Sequence, residues 1–156
     1  MNSEYVNWNF FWKRVEKHPT FLKFLYYVHL RQYAKLLKPI NLKNPEILEL
    51  GAGTGIISTR IAEQYNGTNI LIDNNSAAFD MFKKFNPKSK QIEYRQVDFL
   101  TTQIDRRFDL VMSDGLLEHF KDKRKVIERH REFACKEGYV LIFAVDNNDF
   151  TAKTTG

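Results

Sequence analysis

Residues 47 to 55 read Ile-Leu-Glu-Leu-Gly-Ala-Gly-Thr-Gly, an apolar run that ends in alternate glycines. Glycine permits a tight turn and lets a ligand approach the backbone with no Cβ in the way. A helix-forming stretch follows, and the first N–H groups of a helix lack partners of their own. Such a loop can cradle a ligand. The dinucleotide fingerprint is Gly-x-Gly-x-x-Gly. Counted from Gly51 its last glycine falls on Ile56, and counted from Gly53 it falls on Ser58, so neither frame is complete. The pattern here is Glu49-x-Gly51-x-Gly53-x-Gly55, with Ala52 and Thr54 between.

Acidic residues recur where later apolar runs end: Asp73 with Asn74 beside it, Asp98 before Phe99, and Asp114. Carboxylates there can accept hydrogen bonds from a ligand's hydroxyls or amines. His119 follows Asp114 closely, and histidine exchanges protons near neutral pH. Asp114 and His119 are the candidates if a base is needed. Asp109, at the start of its apolar run, is read as structural.

These residues need elements to hold them. Strands are expected at Glu46–Leu50, Asn69–Ile72, Gln91–Val97, Phe108–Met112 and Tyr139–Val145. Helices are expected at Ile56–Tyr65, Ser76–Phe85 and Lys123–Ala134, the last capped by Asp122 and stopped before Gly138. Ahead of them Trp8, Phe11, Trp12 and Val15 keep helical spacing. After His18-Pro19, Thr20 can cap a second helix with Leu22, Leu25, Val28, Leu36 and Leu37 at a mostly helical period, ended by Pro39. Strands alternating with helices point to an α/β protein with a doubly wound parallel sheet covered on both faces.

Composition bounds the rest. The chain has 156 residues, which suits one domain. A single cysteine, Cys135, excludes an intrachain disulfide, and no Cys/His cluster has zinc spacing, so no metal is expected. No secretory leader or membrane-length apolar run is present, so a cytoplasmic setting is the default. The net charge of +5 raises the question of nucleic acid. The densest basic stretch, Lys121 to Arg131, is interrupted by Asp122 and Glu128 and reads first as a solvated helix face, with an RNA surface as the lesser alternative.

The glycine pattern resembles the first motif of class I S-adenosylmethionine-dependent methyltransferases. Asp73, Asp98-Phe99 and the block Phe108-Asp109-Leu110-Val111-Met112-Ser113-Asp114, followed by Gly115-Leu116-Leu117-Glu118-His119-Phe120, resemble that family's later motifs in order. The resemblance covers about residues 46 to 145. It implies a Rossmann-like sheet of five strands in order 3-2-1-4-5, with S-adenosylmethionine (SAM) as cofactor. It implies that Glu49, Gly51, Ala52, Gly53, Gly55, Asp73, Asn74, Asp98, Phe99 and Asp114 line the cofactor site. Asp73 would then hold the ribose and Asp98 the adenine amine. The implied reaction is in-line methyl transfer, with a small-molecule acceptor expected. A SAM-binding subunit without catalysis, an RNA or protein methyltransferase, and a nicotinamide- or flavin-binding domain are the alternatives. Residues 1–40 would form a helical segment, with Tyr5, Trp8, Phe11 and Trp12 either only packing against the sheet or closing as a lid over the acceptor, and residues 41–156 the SAM-binding unit. After the fifth strand the chain is too short for the family's usual C-terminal β-hairpin. That would leave the fifth strand as an apolar edge, open to pairing in a homodimer.

Overall fold

The computed structural model describes residues 8–17, 19–85 and 92–144. The two N-terminal helices are α1 (Trp8–Lys17) and α2 (Pro19–Leu37). Then come β1 (Glu46–Leu50), α3 (Ile56–Gln64), β2 (Thr68–Asp73), α4 (Ser76–Phe85), β3 (Ile92–Gln96), β4 (Phe108–Asp114), a 3₁₀ turn at Leu117–His119, α5 (Lys123–Phe133) and β5 (Ala134–Phe143). All strand pairs are parallel, in the order β3-β2-β1-β4-β5. This is the expected doubly wound sheet.

Period-two alternation divides each central strand between two cores. On one face Leu48, Leu50, Ile70, Ile72 and Val111 bury against Val126 and Phe133 of α5. On the other, Ile47, Leu110 and Met112 bury against Ile57 and Ile61 of α3 and Tyr33 and Leu37 of α2. Trp12 of α1 closes a third cluster with Ala78 and Met81 of α4. Strand order reverses between β1 and β4, so their carboxyl ends flank the crevice where open α/β sheets bind ligands.

Three local expectations change. The second helix begins at Pro19, with Thr20 inside it. Its inward face is the buried Tyr33 and Leu37 with the partly buried Tyr26 and Leu30, while Val28 and Leu36 are exposed. Aromatic rings with polar tips took core positions that an apolar count assigns to aliphatics. Last, β5 starts at Ala134, not Tyr139, so Cys135 and Gly138 are strand residues. The register slips there: Phe108 pairs with Ala134, yet Leu110 pairs with Tyr139. A Cβ on Gly138 would lie 2.7 Å from the Phe108 carbonyl oxygen, so this irregular stretch hugs β4 only because the side chain is absent. Tyr5, the end of the expected fifth strand at Val145 and all that follows it lie outside the described residues.

Candidate functional site

The glycine loop joins β1 to α3 at the crevice. Gly51, Gly53 and Gly55 have φ of 64, 54 and 62°, a left-handed conformation that side chains resist. The loop is tied to β2 by Ala52 N–H donating to the Ile72 carbonyl at 2.9 Å and closed by Gly55 N–H donating to the Ala52 carbonyl at 2.7 Å. A Cβ on Gly53 would lie 2.7 Å from the Trp12 ring, so the indole rests directly on the loop.

Three acids surround it. Asp73, at the end of β2, accepts from Gly53 N–H at 2.9 Å and Asn75 N–H at 2.8 Å. Burial nevertheless raises its carboxyl above the usual range, with those two bonds pulling back. Asn75 caps α4 by accepting from Ala77 N–H at 2.9 Å. Asn74 is exposed beside it. Glu49 is buried on β1. It accepts from the Ser58 hydroxyl, which accepts from Asn69 Nδ2 at 2.7 Å. Burial pushes Glu49 up to about 8, and the Ser58 bond opposes this less strongly; Asp114 and Asp73 add to the rise. Asp114, at the end of β4, is likewise raised by burial, with His29 opposing.

α2 lies across this group. Thr54 Oγ1 donates to the Tyr26 hydroxyl at 2.6 Å. One turn on, His29 Nδ1 lies 3.0 Å from Asp114 Oδ2. The His29 ring also packs on Phe143 of β5 at 4.8 Å between centroids. His119 lies beyond β4 with its ring edge-on to Trp8 at 4.7 Å, and burial lowers its pKa, so the neutral imidazole is favoured.

Other candidates fall further from the crevice. Asp98 shapes the turn after β3, accepting from Leu100 N–H at 2.8 Å. The Phe99 ring is buried in the α5-side core, edge-on to Phe120. Arg129 of α5 holds the same turn by donating to the Phe99 carbonyl at 3.0 Å, so not every cation of the basic stretch faces solvent alone. Asp109 accepts from Glu46 N–H at 2.8 Å, the structural role its position suggested. Among the described residues no group of His, Cys, Asp and Glu is placed to hold a metal, and no helix is long and apolar enough to cross a membrane.

Sequence reasoning missed Tyr26, His29 and Tyr33. Their spacing of three, four and seven places them on one helical face, a signal that was readable. What that face meets was not, since His29 and Asp114 lie 85 residues apart in the chain.

A parallel sheet that reverses at β1/β4, with a glycine loop and acids at its carboxyl edge, defines a Rossmann-like α/β domain. A family model described as a methyltransferase domain matches residues 41–155, and the chain belongs to that family. It is 28% identical over 108 residues to malonyl-[acyl-carrier protein] O-methyltransferase 2 of Ilyobacter polytropus, covering 66% of this chain and 40% of that one. It is 28% identical over 116 residues to ubiquinone biosynthesis O-methyltransferase of Coxiella burnetii, covering 72% and 48%. The chain thus spans less than half the length of either relative. Among solved structures, DhpI in complex with SAH superposes with a TM-score of 0.68 at 19% identity, over 89% of this chain and 68% of that one. Coclaurine N-methyltransferase, bound to N-methylheliamine and SAH, gives 0.63 at 20% identity, over 73% and 34%.

Proposed function

We propose that this chain binds SAM at the glycine loop and directs its methyl group to a small-molecule acceptor. The observation that carries the reading is electrostatic. Glu49, Asp73 and Asp114 crowd one crevice, and burial raises the pKa of all three. Among the described residues no Lys or Arg side chain bridges any of them. A cation would relieve that cost. SAM brings a sulfonium and an ammonium, whereas a dinucleotide brings a pyrophosphate that these acids would repel. The donors and acceptors fit as well. Gly51, Ala52, Gly53 and Gly55 shape the turn on which the adenosyl group would rest, with the Trp12 indole against Gly53. On this reading Asp73 and Asn74 hold the ribose, and Asp98, which shapes the turn after β3, would reach the base.

When bound, SAM supplies a methyl carbon already activated by its positive sulfur. The protein's part is alignment, which can contribute much of the rate. α1 and α2 act as the lid, with Trp8, Phe11 and Trp12 closing over the loop. The relatives named for small-molecule methylation support that acceptor class. The exposed Tyr139 and Val140 on the edge strand β5 favour pairing with a second copy in a cytoplasmic dimer; light scattering that finds a monomer at high concentration excludes it.

Calorimetry tests the cofactor. SAM is expected to bind and a nicotinamide dinucleotide is not. Asp73→Ala should weaken SAM tenfold or more; unchanged affinity removes Asp73 from the ribose. Labelled-methyl transfer into cell extract, fractionated into metabolites, RNA and protein, identifies the acceptor class. Label in RNA would favour the basic face of α5 instead.

A further inference from the structure

The glycine loop and Asp73 occupy the β1/β2 side of the crevice, which assigns the β4/β5 side to the acceptor. That side carries a histidine–carboxylate pair whose histidine the motifs do not include. His29 Nδ1 is 3.0 Å from Asp114 Oδ2, and the imidazole packs on Phe143. With Nδ1–H donating to the carboxylate, Nε2 keeps its lone pair. No described residue hydrogen-bonds Nε2, and the His29 side chain remains 24% exposed. A second polar group nearby awaits a partner. The Tyr33 hydroxyl, one turn further along α2, is buried and has no hydrogen-bond partner among the described residues, yet it feels the charges of Asp114 and Glu49. His119, by contrast, has its ring against Trp8.

We infer that His29, oriented by Asp114, accepts the proton of a protic methyl acceptor, a hydroxyl or a protonated amine, bound on the β4/β5 side. The inference rests on the SAM-binding reading. The acceptor's hydroxyl oxygen, or its amine nitrogen once its proton has passed to Nε2 and freed the lone pair, forms the new bond to the methyl carbon. The carbon–sulfur bond breaks, and its electron pair stays on sulfur. The acceptor's proton passes to Nε2, and the resulting imidazolium lies against the Asp114 carboxylate. Asp114 is the positioning residue, because it acts through the ring it holds. The titratable groups facing this pair are Glu118 after β4, Glu49 on β1, and Tyr26 and Tyr33 on α2; Phe143 of β5 is apolar.

Three measurements test it. Nitrogen-15 NMR of the imidazoles, with His29 assigned through His29→Gln, should find the Nδ1–H tautomer, lost or mixed in Asp114→Asn. The opposite tautomer overturns the proposal without any turnover. Calorimetry should give His29→Gln the wild-type SAM affinity within about twofold, since the base does not hold the cofactor. Methyl transfer to the acceptor fraction of the extract should fall by about 10² or more in His29→Gln. Asp114→Asn should weaken transfer less. If His29→Gln transfers within a few-fold of wild type, or if wild type binds SAM but methylates nothing in the extract, the proton-acceptor role is wrong and the cofactor reading stands. If wild type does not bind SAM, the cofactor reading itself fails.

Discussion

Glu49 is a carboxyl placed where the sheet wants an apolar side chain, between Ile47 and the α3 face of the core. Its pKa is raised from 4.5 to about 8, so between those values the folded protein holds a proton that the unfolded chain gives up. The stability this carries is complete at acid pH and is lost as pH rises through about 8. The loss can reach about 1.4 kcal/mol per pH unit. Melting temperature without ligand should therefore fall from pH 5 to pH 8.5, and Glu49→Gln should flatten that slope. A steep slope that survives in Glu49→Gln assigns it to other groups. Ligand binding reverses the cost. A cation near Glu49 favours the ionised form, so SAM binding at pH 7 should release up to about one proton. Calorimetry in buffers of different ionisation heat reads this directly, and Glu49→Gln should release markedly less. At this scale the sequence was legible where chemistry is local. Gly53, Asp73 and Asp114 could be picked out because their types sit at strand ends. His29 could not, because its role comes from a contact between distant segments.

The elements were legible where one periodicity governs them. β1, β2 and β4 are buried runs, and their bounds fall within a residue or two of the expected ones. β5 was not, because residues 134–138 alternate neither in polarity nor in burial and enter the sheet through a slipped register. Gly138 makes that possible. Gly138→Ala would drive a methyl to 2.7 Å from the Phe108 carbonyl and 2.9 Å from Cys135 Sγ. Strand backbone cannot give way cheaply, so we expect a loss of about 1–3 kcal/mol in urea unfolding. No loss would mean that β5 re-registers. α1 offers a different test. Both tryptophans of the chain, Trp8 and Trp12, lie on it and touch the candidate site. SAM should change the intrinsic fluorescence, and Trp12→Phe should remove most of that change. A silent indole would place α1 away from the ligand.

For the molecule as a whole, the alternation of strands and helices was enough to point to a doubly wound parallel sheet, because right-handed crossovers leave few choices, and the order of its strands followed from the family resemblance. What lies over the sheet was harder to read, since α1 and α2 are positioned by what they cover and not by a pattern of their own. That distinction bears on how the whole protein responds to ligand. If the crevice belongs to SAM, saturation should stabilise the fold by mass action, about 2.7 kcal/mol at a hundred times Kd. For a domain of this size that is a rise of about 5–10 °C in melting temperature. A nicotinamide dinucleotide at the same concentration should give none, because its pyrophosphate meets Asp73 and Asp114. Asp73→Ala should cut the SAM shift by about half or more, whereas His29→Gln should keep it, since one residue holds the ligand and the other serves its partner. A shift with the dinucleotide and none with SAM would mean that the crevice selects for negative charge despite its acids, and the electrostatic argument for a cationic ligand would be lost.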